Sequence, residues 1–277
     1  MRLILFYNVA AQLAREGGFP LEEAYSKIRG MGYTGIDPLV WGETGEDLIQ
    51  FRRRAESCGV DVPACSAMTP LYSDKDLDVC RRFVDSAAAL RAKSAMLLPA
   101  PCPSDVAREE ARDILAGYLS KLCDYSEGCG VTLSVENFSR ISCPFSKADD
   151  LVYLLSSVPK LMMTFDTGNF IWVNESPSEA IDKILAVRKQ PFSHVHMKNY
   201  SRERYNEYPE FNGRDLNGAG FYSYPCIGGG MADLAYICRR LKDIGYDGCV
   251  SVENGGIFPA EPALSDSAKW LRENLGI

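Results

Sequence analysis

Short apolar runs alternate with amphipathic stretches along the whole of this 277-residue chain. The amphipathic stretches have helical spacing, and glycines such as Gly32 and Gly245 stand where a helix would end in the left-handed conformation. Strict alternation of strands and helices predicts a parallel sheet that is covered by helices. The predicted strands are Leu3–Tyr7, Gly35–Val40, Asp61–Cys65, Ser94–Leu98, Val131–Glu136, Leu161–Asp166, Phe192–Met197 and Cys249–Glu253.

Eight strand–helix repeats in a chain of this length are typical of a (β/α)8 TIM barrel, which usually has about 250 residues. A doubly wound open sheet is the alternative, but residues 7–10, after the first strand, lack the glycine-rich loop of nucleotide-binding folds. No linker or shift in composition divides the chain, so we expect a single domain over residues 1–277. A long irregular excursion spans residues 200–230. It is interpreted as an active-site lid, as a plain surface excursion, or as a contact with another subunit of a homo-oligomer.

Charge and composition argue against several classes of partner. The net charge is −7 and there is no lysine- or arginine-rich run, which argues against nucleic acid. No apolar stretch approaches the roughly 20 residues that cross a bilayer, so no membrane partner is expected. The ten cysteines form neither a CxxC pair nor the spacing of a disulfide scaffold, which favours reduced thiols in a cytoplasmic protein.

The tetrapeptide Ser-Val-Glu-Asn occurs twice, at Ser134–Asn137 and Ser251–Asn254, and each copy ends a predicted strand. Asp166 and His196 end two further strands, at steps of 30 residues from Glu136. Side chains alternate along a strand, and these four strand ends all place their polar residue on the less apolar face. Barrel enzymes carry their chemistry at the rim formed by the C-terminal ends of the strands.

Three carboxylates and one imidazole crowded at one rim need a cation, because like charges repel and raise each other's pKa. Oxygen-rich ligation with one nitrogen suits Mn²⁺, Mg²⁺, Co²⁺ or Zn²⁺. For any one acid alone, capping of a helix or pairing with an arginine is an equally good interpretation. The shared depth, strand face and spacing favour one divalent metal ion held by Glu136, Asp166, His196 and Glu253.

Three nearby residues are assigned to the substrate side of this site. Lys198 lies on the same strand face one step above His196, where it would hold a substrate oxyanion or neutralise the acidic rim. Trp41 follows the second strand and would wall the pocket or pack in the core. His194 lies about 6–7 Å deeper than His196. We interpret it as a hydrogen-bonded interior histidine that supports the site from behind rather than as a ligand.

Four motifs together resemble those of the xylose isomerase-like TIM barrels. That superfamily includes sugar and sugar-phosphate isomerases and epimerases, inosose dehydratase and endonuclease IV. The resemblance spans the whole barrel and is clearest over residues 131–254. The motifs are Leu133–Asn137, Phe165–Asn169, His194–Asn199 and Ser251–Asn254.

By position, the resemblance implies the same four metal ligands, and in the ketose epimerase branch Glu136 and Glu253 also move the proton. Asn169, which closes its motif, is assigned to substrate binding. Two positions depart from the family pattern: Asn199 stands where aspartate is frequent, and Gly228–Gly230 stands where Gly-Glu-Gly is frequent. The chain has two histidines in total, too few for the three-zinc site of endonuclease IV.

The resemblance therefore implies a metal-dependent isomerase or epimerase of a sugar, sugar phosphate or polyol that transfers a proton through an enediolate. One alternative is a lyase of the inosose dehydratase type, which begins with the same proton abstraction but expels hydroxide. The other is a barrel that binds metal and sugar without catalysis, as a sensor or partner module.

Overall fold

The structure is a computed structural model that describes residues 1–202, 220, 222, 223, 226–253 and 260–277. Most of the predicted 200–230 excursion lies outside these residues, as does Asn254. The interpretation of the excursion as a lid or a subunit contact therefore stays a prediction.

Strands and helices alternate as the sequence predicts. In chain order the elements are β1 (Arg2–Phe6), α1 (Tyr7–Gly17), α2 (Leu21–Met31), β2 (Gly35–Asp37), α3 (Gly45–Ser57), β3 (Ala64–Met68), α4 (Asp74–Leu90), β4 (Ser94–Leu98), α5 (Arg108–Gly128), β5 (Thr132–Glu136), α6 (Ala148–Ser157), β6 (Met162–Asp166), α7 (Asn169–Trp172), α8 (Pro177–Val187), β7 (Phe192–Met197), β8 (Tyr200–Ser201), β9 (Tyr222–Ser223), α9 (Leu234–Asp243), β10 (Cys249–Val252) and α10 (Ala260–Leu275).

Eight of these strands form one parallel sheet in the order β2-β1-β10-β7-β6-β5-β4-β3, and β8 and β9 pair separately. The two ends of the sheet meet through parallel bridges from Gly35 to Asp61 and from Leu39 to Ser66. The sheet is therefore a nearly closed barrel, which confirms the predicted (β/α)8 fold. No helix among the described residues combines the length and the apolar character that crossing a bilayer requires.

The predicted strand β3 is wrong by three residues, because Asp61–Cys65 was expected and Ala64–Met68 is observed. Pro63 has no amide hydrogen to donate to a neighbouring strand, and Asp61 contributes only an isolated bridge. Tyr7 was assigned to the first strand but begins α1, which follows β1 without a loop.

Large apolar side chains fill the layer between the barrel and its helices, whereas the barrel lumen is polar. Within the lumen, Ser134 Oγ lies 2.7 Å from Thr164 Oγ1, and Ser66 Oγ donates to Asp37 Oδ1 at 3.0 Å. Buried polar groups cost free energy unless they are paired, and these hydrogen bonds offset that cost. A small separate apolar cluster closes the lumen below, formed by Ile4, Ala64 and Cys249.

Candidate metal and substrate site

The four predicted ligands meet at the C-terminal mouth of the barrel. One donor atom from each of Glu136, Asp166, His196 and Glu253 lies within 4.8 Å of the donors of the other three. Three of these residues lie within or at the end of β5, β6 and β7. Glu253 directly follows β10, where its amide still donates to Met197 O at 3.0 Å. Adjacent parallel strands thus bring together residues that are far apart in sequence.

Asp166 has one bonded oxygen and one open oxygen. Its Oδ1 accepts hydrogen bonds from the amides of Gly168 and Asn169, each at 2.7 Å, at the start of α7. Its backbone is fixed by Asn137, whose side chain bonds both the amide and the carbonyl of Asp166. Oδ2 is fully buried and has no hydrogen-bond partner among the described residues. Helix capping therefore accounts for one oxygen of this acid and leaves the other open to a ligand.

His196 connects the site to the barrel interior. Its Nδ1 lies 2.6 Å from Glu136 Oε1 and 3.9 Å from Glu253 Oε2. Burial alone would lower the pKa of His196, but Glu136 and Asp37 outweigh it and raise the pKa to about 10. Burial raises the pKa of Glu136, and His196 opposes that rise.

Lys198 lies among the carboxylates as predicted. Its Nζ is 2.5 Å from Glu253 Oε1 and 3.4 Å from Asp166 Oδ2. Burial would lower the pKa of Lys198, but these two acids raise it well above its usual value. Burial raises the pKa of Glu253 to about 7, against the opposing effect of Lys198, although its side chain is still 27% exposed.

A cavity of about 390 Å³ opens over these groups. Glu136, Glu253, Lys198 and Asn169 all line it, so the structure brings Asn169 to the predicted place. The walls are both aromatic and polar, and they include Phe6, Met96, Phe138, Ser139, Arg140, Trp172 and Tyr200.

Two residues assigned to substrate binding do not line this cavity. Trp41 is 65% exposed and borders a neighbouring depression, because its amide binds Glu43 Oε2 and the chain turns away at Gly42, where φ is +108°. His194 is fully buried beneath His196, with ring centroids 4.5 Å apart. Neither ring nitrogen of His194 has a hydrogen-bond partner among the described residues, and burial lowers its pKa to about 3.

Sequence reasoning missed Asp37, which faces both histidines from β2 and is fully buried. Its signal was present, since Asp37 lies inside a predicted strand on the same face as Gly35. Arg140 and Trp172 were also missed. Arg140 lies in the loop after β5 and Trp172 ends the four-residue helix α7, which is too short for a periodic pattern to indicate which side chains face the cavity.

The donor set fits a divalent cation. Three carboxylates and one imidazole are the ligand types that Mn²⁺, Mg²⁺ and Zn²⁺ accept, and Asp166 Oδ2 has the Lys198 ammonium nearby but no hydrogen-bond partner among the described residues. No arginine pairs with any of these acids among the described residues. Lys198 pairs with Glu253 and Asp166, and His196 contacts Glu136.

Comparison with known proteins identifies relatives of the whole barrel. Residues 25–274 match the family model described as xylose isomerase-like TIM barrel. An inosose dehydratase of Serratia proteamaculans (strain 568) is 25% identical over 184 residues. That match covers 61% of this chain and 57% of the dehydratase, so it extends over little more than half of the relative.

Solved structures share the fold at lower identity. An IolI protein with a bound zinc atom has a TM-score of 0.74 at 16% identity, over 100% of this chain and 98% of that one. D-psicose 3-epimerase in the presence of D-fructose has a TM-score of 0.73 at 14% identity, over 100% of both chains. Identities this low establish a common architecture and leave the reaction open.

Proposed function

Since the chain belongs to the xylose isomerase-like TIM barrel family, we propose that it is a divalent-metal-dependent isomerase or epimerase. Its substrate would be a sugar, sugar phosphate or related polyol, and its reaction a proton transfer through an enediolate. The observation that carries this proposal is the convergence of four donor atoms within 4.8 Å at the mouth of the barrel.

Glu136, Asp166, His196 and Glu253 would hold the ion. When bound, a divalent ion acts as a Lewis acid that polarises a substrate carbonyl and acidifies the adjacent C–H bond. Asp166 suits a purely structural part in this set, because the amides of Gly168 and Asn169 fix one of its oxygens.

Glu136 and Glu253 are the candidates for proton transfer. Both line the cavity, so each can reach a substrate that lies there. Burial raises the pKa of Glu253, which favours proton uptake by this carboxylate. A positioned acid or base of this kind contributes about 10²–10⁴-fold in rate. Lys198, beside Glu253, would donate a hydrogen bond to the developing oxyanion.

The cavity supports a small polyhydroxylated substrate. Its volume of about 390 Å³ lies within the usual range for small-molecule sites, and its walls combine aromatic faces with polar groups. Asn169 and Lys198 offer hydrogen-bonding groups to substrate hydroxyls, and Trp172 offers an aromatic surface.

An inosose-type dehydratase is the second candidate, favoured by the 25% identity to the Serratia enzyme. The same glutamates would abstract the proton, but a hydroxide would then leave as water. Product mass separates the two reactions, because an isomerase conserves the mass of its substrate and a dehydratase removes one water.

The test is solvent-deuterium exchange into substrates of a panel of ketoses, their phosphates and inososes, with Mn²⁺-loaded protein. Glu136→Gln and Glu253→Gln should each retain the fold and abolish incorporation. Glu127→Gln is the matched control, because Glu127 is exposed and pairs with Lys160 far from the cavity. Exchange at the wild-type rate in both site variants would refute the catalytic assignment. Tight sugar binding by the wild type without exchange or turnover would favour a binding module.

A further inference from the structure

Asp37 is a buried carboxylate in the lumen, below the cavity and outside the proposed ligand set. It is the last residue of β2, paired in register with Phe6 of β1, and it is fully buried. Its Oδ1 accepts a hydrogen bond from Ser66 Oγ at 3.0 Å. Its Oδ2 has no conventional hydrogen-bond partner among the described residues. An unpaired buried carboxylate oxygen is costly, so this atom requires an explanation.

Two imidazoles face that oxygen. His196 Nε2 lies 3.4 Å from Asp37 Oδ2 and His194 Nε2 lies 3.6 Å from it. On the opposite side of the His196 ring, Nδ1 faces Glu136 at 2.6 Å. His196 therefore stands between two carboxylates, with one ring nitrogen directed at each.

The orientation of the His196 ring is fixed by its neighbours. The Phe6 ring meets it edge-on at a centroid distance of 4.8 Å, and the His194 ring does so at 4.5 Å. Rotation of the imidazole by half a turn about Cβ–Cγ would bring Cδ2 to the place of Nδ1 and Cε1 to the place of Nε2, so that both carboxylates would face carbon atoms. The ring orientation thus directs Nδ1 at Glu136 and Nε2 at Asp37, and the tautomer decides which of the two nitrogens carries the proton.

We propose that Asp37 is a positioning residue that accepts the Nε2–H of His196 and so reserves Nδ1 for the metal ion. A neutral imidazole carries one N–H, and the hydrogen bond made by that nitrogen decides which nitrogen is left for a metal. Ser66 holds Asp37 Oδ1, which keeps Oδ2 directed at the imidazoles. This inference rests on the proposed metal site and adds the group that orients its only nitrogen ligand.

A direct ligand role for Asp37 is the competing possibility. Asp37, His194 and His196 offer three donor atoms that also lie within 4.8 Å of one another. An ion bound there would take the Nε2 of His196, whereas the positioning role leaves that nitrogen protonated. The two roles therefore differ in metal stoichiometry and in the protonated nitrogen of His196.

The chain has two histidines in total, so ¹⁵N-histidine labelling gives an imidazole spectrum of only two rings. We expect zinc-loaded wild type to bind one equivalent, with His196 carrying its proton on Nε2 and zinc on Nδ1. His194→Gln assigns the spectrum by removing one ring. Asp37→Asn should weaken zinc binding by about 10–100-fold, measured by chelator competition, and should shift the His196 Nε2 resonance.

Ser66→Ala provides a second variant that keeps the carboxylate, in case Asp37→Asn does not fold. It should weaken zinc binding in the same direction but by less. Ser134→Ala is the matched control, because it removes an equally buried lumen hydroxyl that binds Thr164 and not Asp37. Its zinc affinity and His196 resonances should equal those of the wild type.

Three results would overturn the role of Asp37 alone. The wild type could bind zinc through His196 Nε2, or it could bind a second equivalent of zinc that Asp37→Asn loses. The third is a zinc affinity and a histidine spectrum that are unchanged in both Asp37→Asn and Ser66→Ala. Wild-type protein that binds no divalent ion would instead refute the proposed function, and this inference with it. The outcomes are therefore distinguishable.

Discussion

His196 Nδ1 and Glu136 Oε1 lie 2.6 Å apart, and neither side chain is more than 7% exposed. A contact this short between an imidazole and a carboxylate contains a proton. An ion bound to both side chains would occupy the place of that proton. Metal binding must therefore compete with this proton.

Metal affinity should consequently rise with pH. The pKa of His196 is raised to about 10 in the metal-free protein, so at any lower pH an incoming ion displaces a proton. We expect the Kd for Mn²⁺ to fall about tenfold per pH unit between pH 7.5 and 9, measured from the electron paramagnetic resonance signal of free Mn²⁺. Below pH 7 the Kd should depend on pH more steeply. Glu253, with a pKa of about 7, is then also protonated, so the incoming ion must displace a second proton.

His196→Asn removes the titrating imidazole. The Kd for Mn²⁺ should then no longer change between pH 7.5 and 9, and it should be higher than that of the wild type at every pH. A Kd for the wild type that does not change over this range would contradict the proton competition.

Lys198→Met should destabilise the metal-free protein strongly. Lys198 contacts both Asp166 and Glu253 from a position that is 15% exposed, and its loss leaves these carboxylates without that cation. Breaking a buried ion pair from one side costs about 3–5 kcal/mol. Urea unfolding in the presence of chelator should show this loss, and saturating Mn²⁺ should restore much of it by replacing the missing charge.

Lys160→Met is the matched control. Lys160 contacts two acids, Asp124 and Glu127, each at 2.7 Å, but it does so at the surface where solvent screens the pairs. Its removal should hardly change the unfolding midpoint, with or without Mn²⁺. Equal losses of stability in Lys198→Met and Lys160→Met would mean that the acidic mouth of the barrel is not stabilised by the Lys198 charge.

The sequence predicted the elements that depend on a local period. The observed bounds of β4 and β7 equal the predicted ones. The four proposed ligands could be placed together because side-chain alternation and parallel strands dictate which residues meet at the mouth of a barrel. Their roles as ligands stay a prediction.

Features that depend on tertiary contacts could not be predicted. Asp37 gains its role from Ser66, which is 29 positions away, and from histidines on β7. No spacing in the chain encodes those contacts. Trp41 follows a predicted strand, yet the positive φ of Gly42 and a local bond to Glu43 direct the chain away from the cavity.

The two departures from the family pattern are in contact with each other. Asn199 Oδ1 accepts from the amides of Tyr200 and Ala232, and its Nδ2 donates to the carbonyl of Gly229. Gly230 packs closely against this amide. The glycine run ends before the following helix, because α9 begins at Leu234 with Asp233 as its cap.

Gly230→Ala should therefore destabilise the protein. Gly230 has φ of +95°, and an added Cβ would lie 2.6 Å from Asn199 Cγ and 2.7 Å from the backbone oxygen of Tyr200. We expect a loss of about 1–3 kcal/mol in the free energy of unfolding, from strain and displacement of Asn199. Gly117→Ala, in the middle of α5 with no atom within 4 Å of the new Cβ, should instead stabilise by about 0.5–1 kcal/mol. Equal thermal midpoints for the two variants would contradict the close packing.

Cys102 should be the most reactive thiol at neutral pH. A hydrogen bond from Cys143 lowers its pKa to about 7 against the effect of burial, and Tyr72 contributes a second hydrogen bond, with its hydroxyl 3.2 Å from the sulfur. Since the pKa is lowered, the thiolate fraction rises about tenfold per pH unit below pH 7 and saturates above it. Alkylation by iodoacetamide, followed by peptide mass spectrometry, should show this profile for Cys102. Cys80 is the internal comparison, because burial raises its pKa to about 12 and its alkylation should keep rising through pH 9.

Tyr72→Phe removes one hydrogen-bond donor to the Cys102 thiolate and should therefore shift the pH profile of Cys102 alkylation to higher pH. An alkylation rate of Cys102 that keeps rising through pH 9 in the wild type would refute the lowered pKa.

The location of Cys102 adds a readout that depends on ligand binding. It borders a depression of about 410 Å³ that shares Phe138 and Arg140 with the cavity over Glu136. A substrate that contacts Phe138 or Arg140 should therefore change the alkylation rate of Cys102 but not that of Cys80, which gives a binding assay that does not depend on turnover.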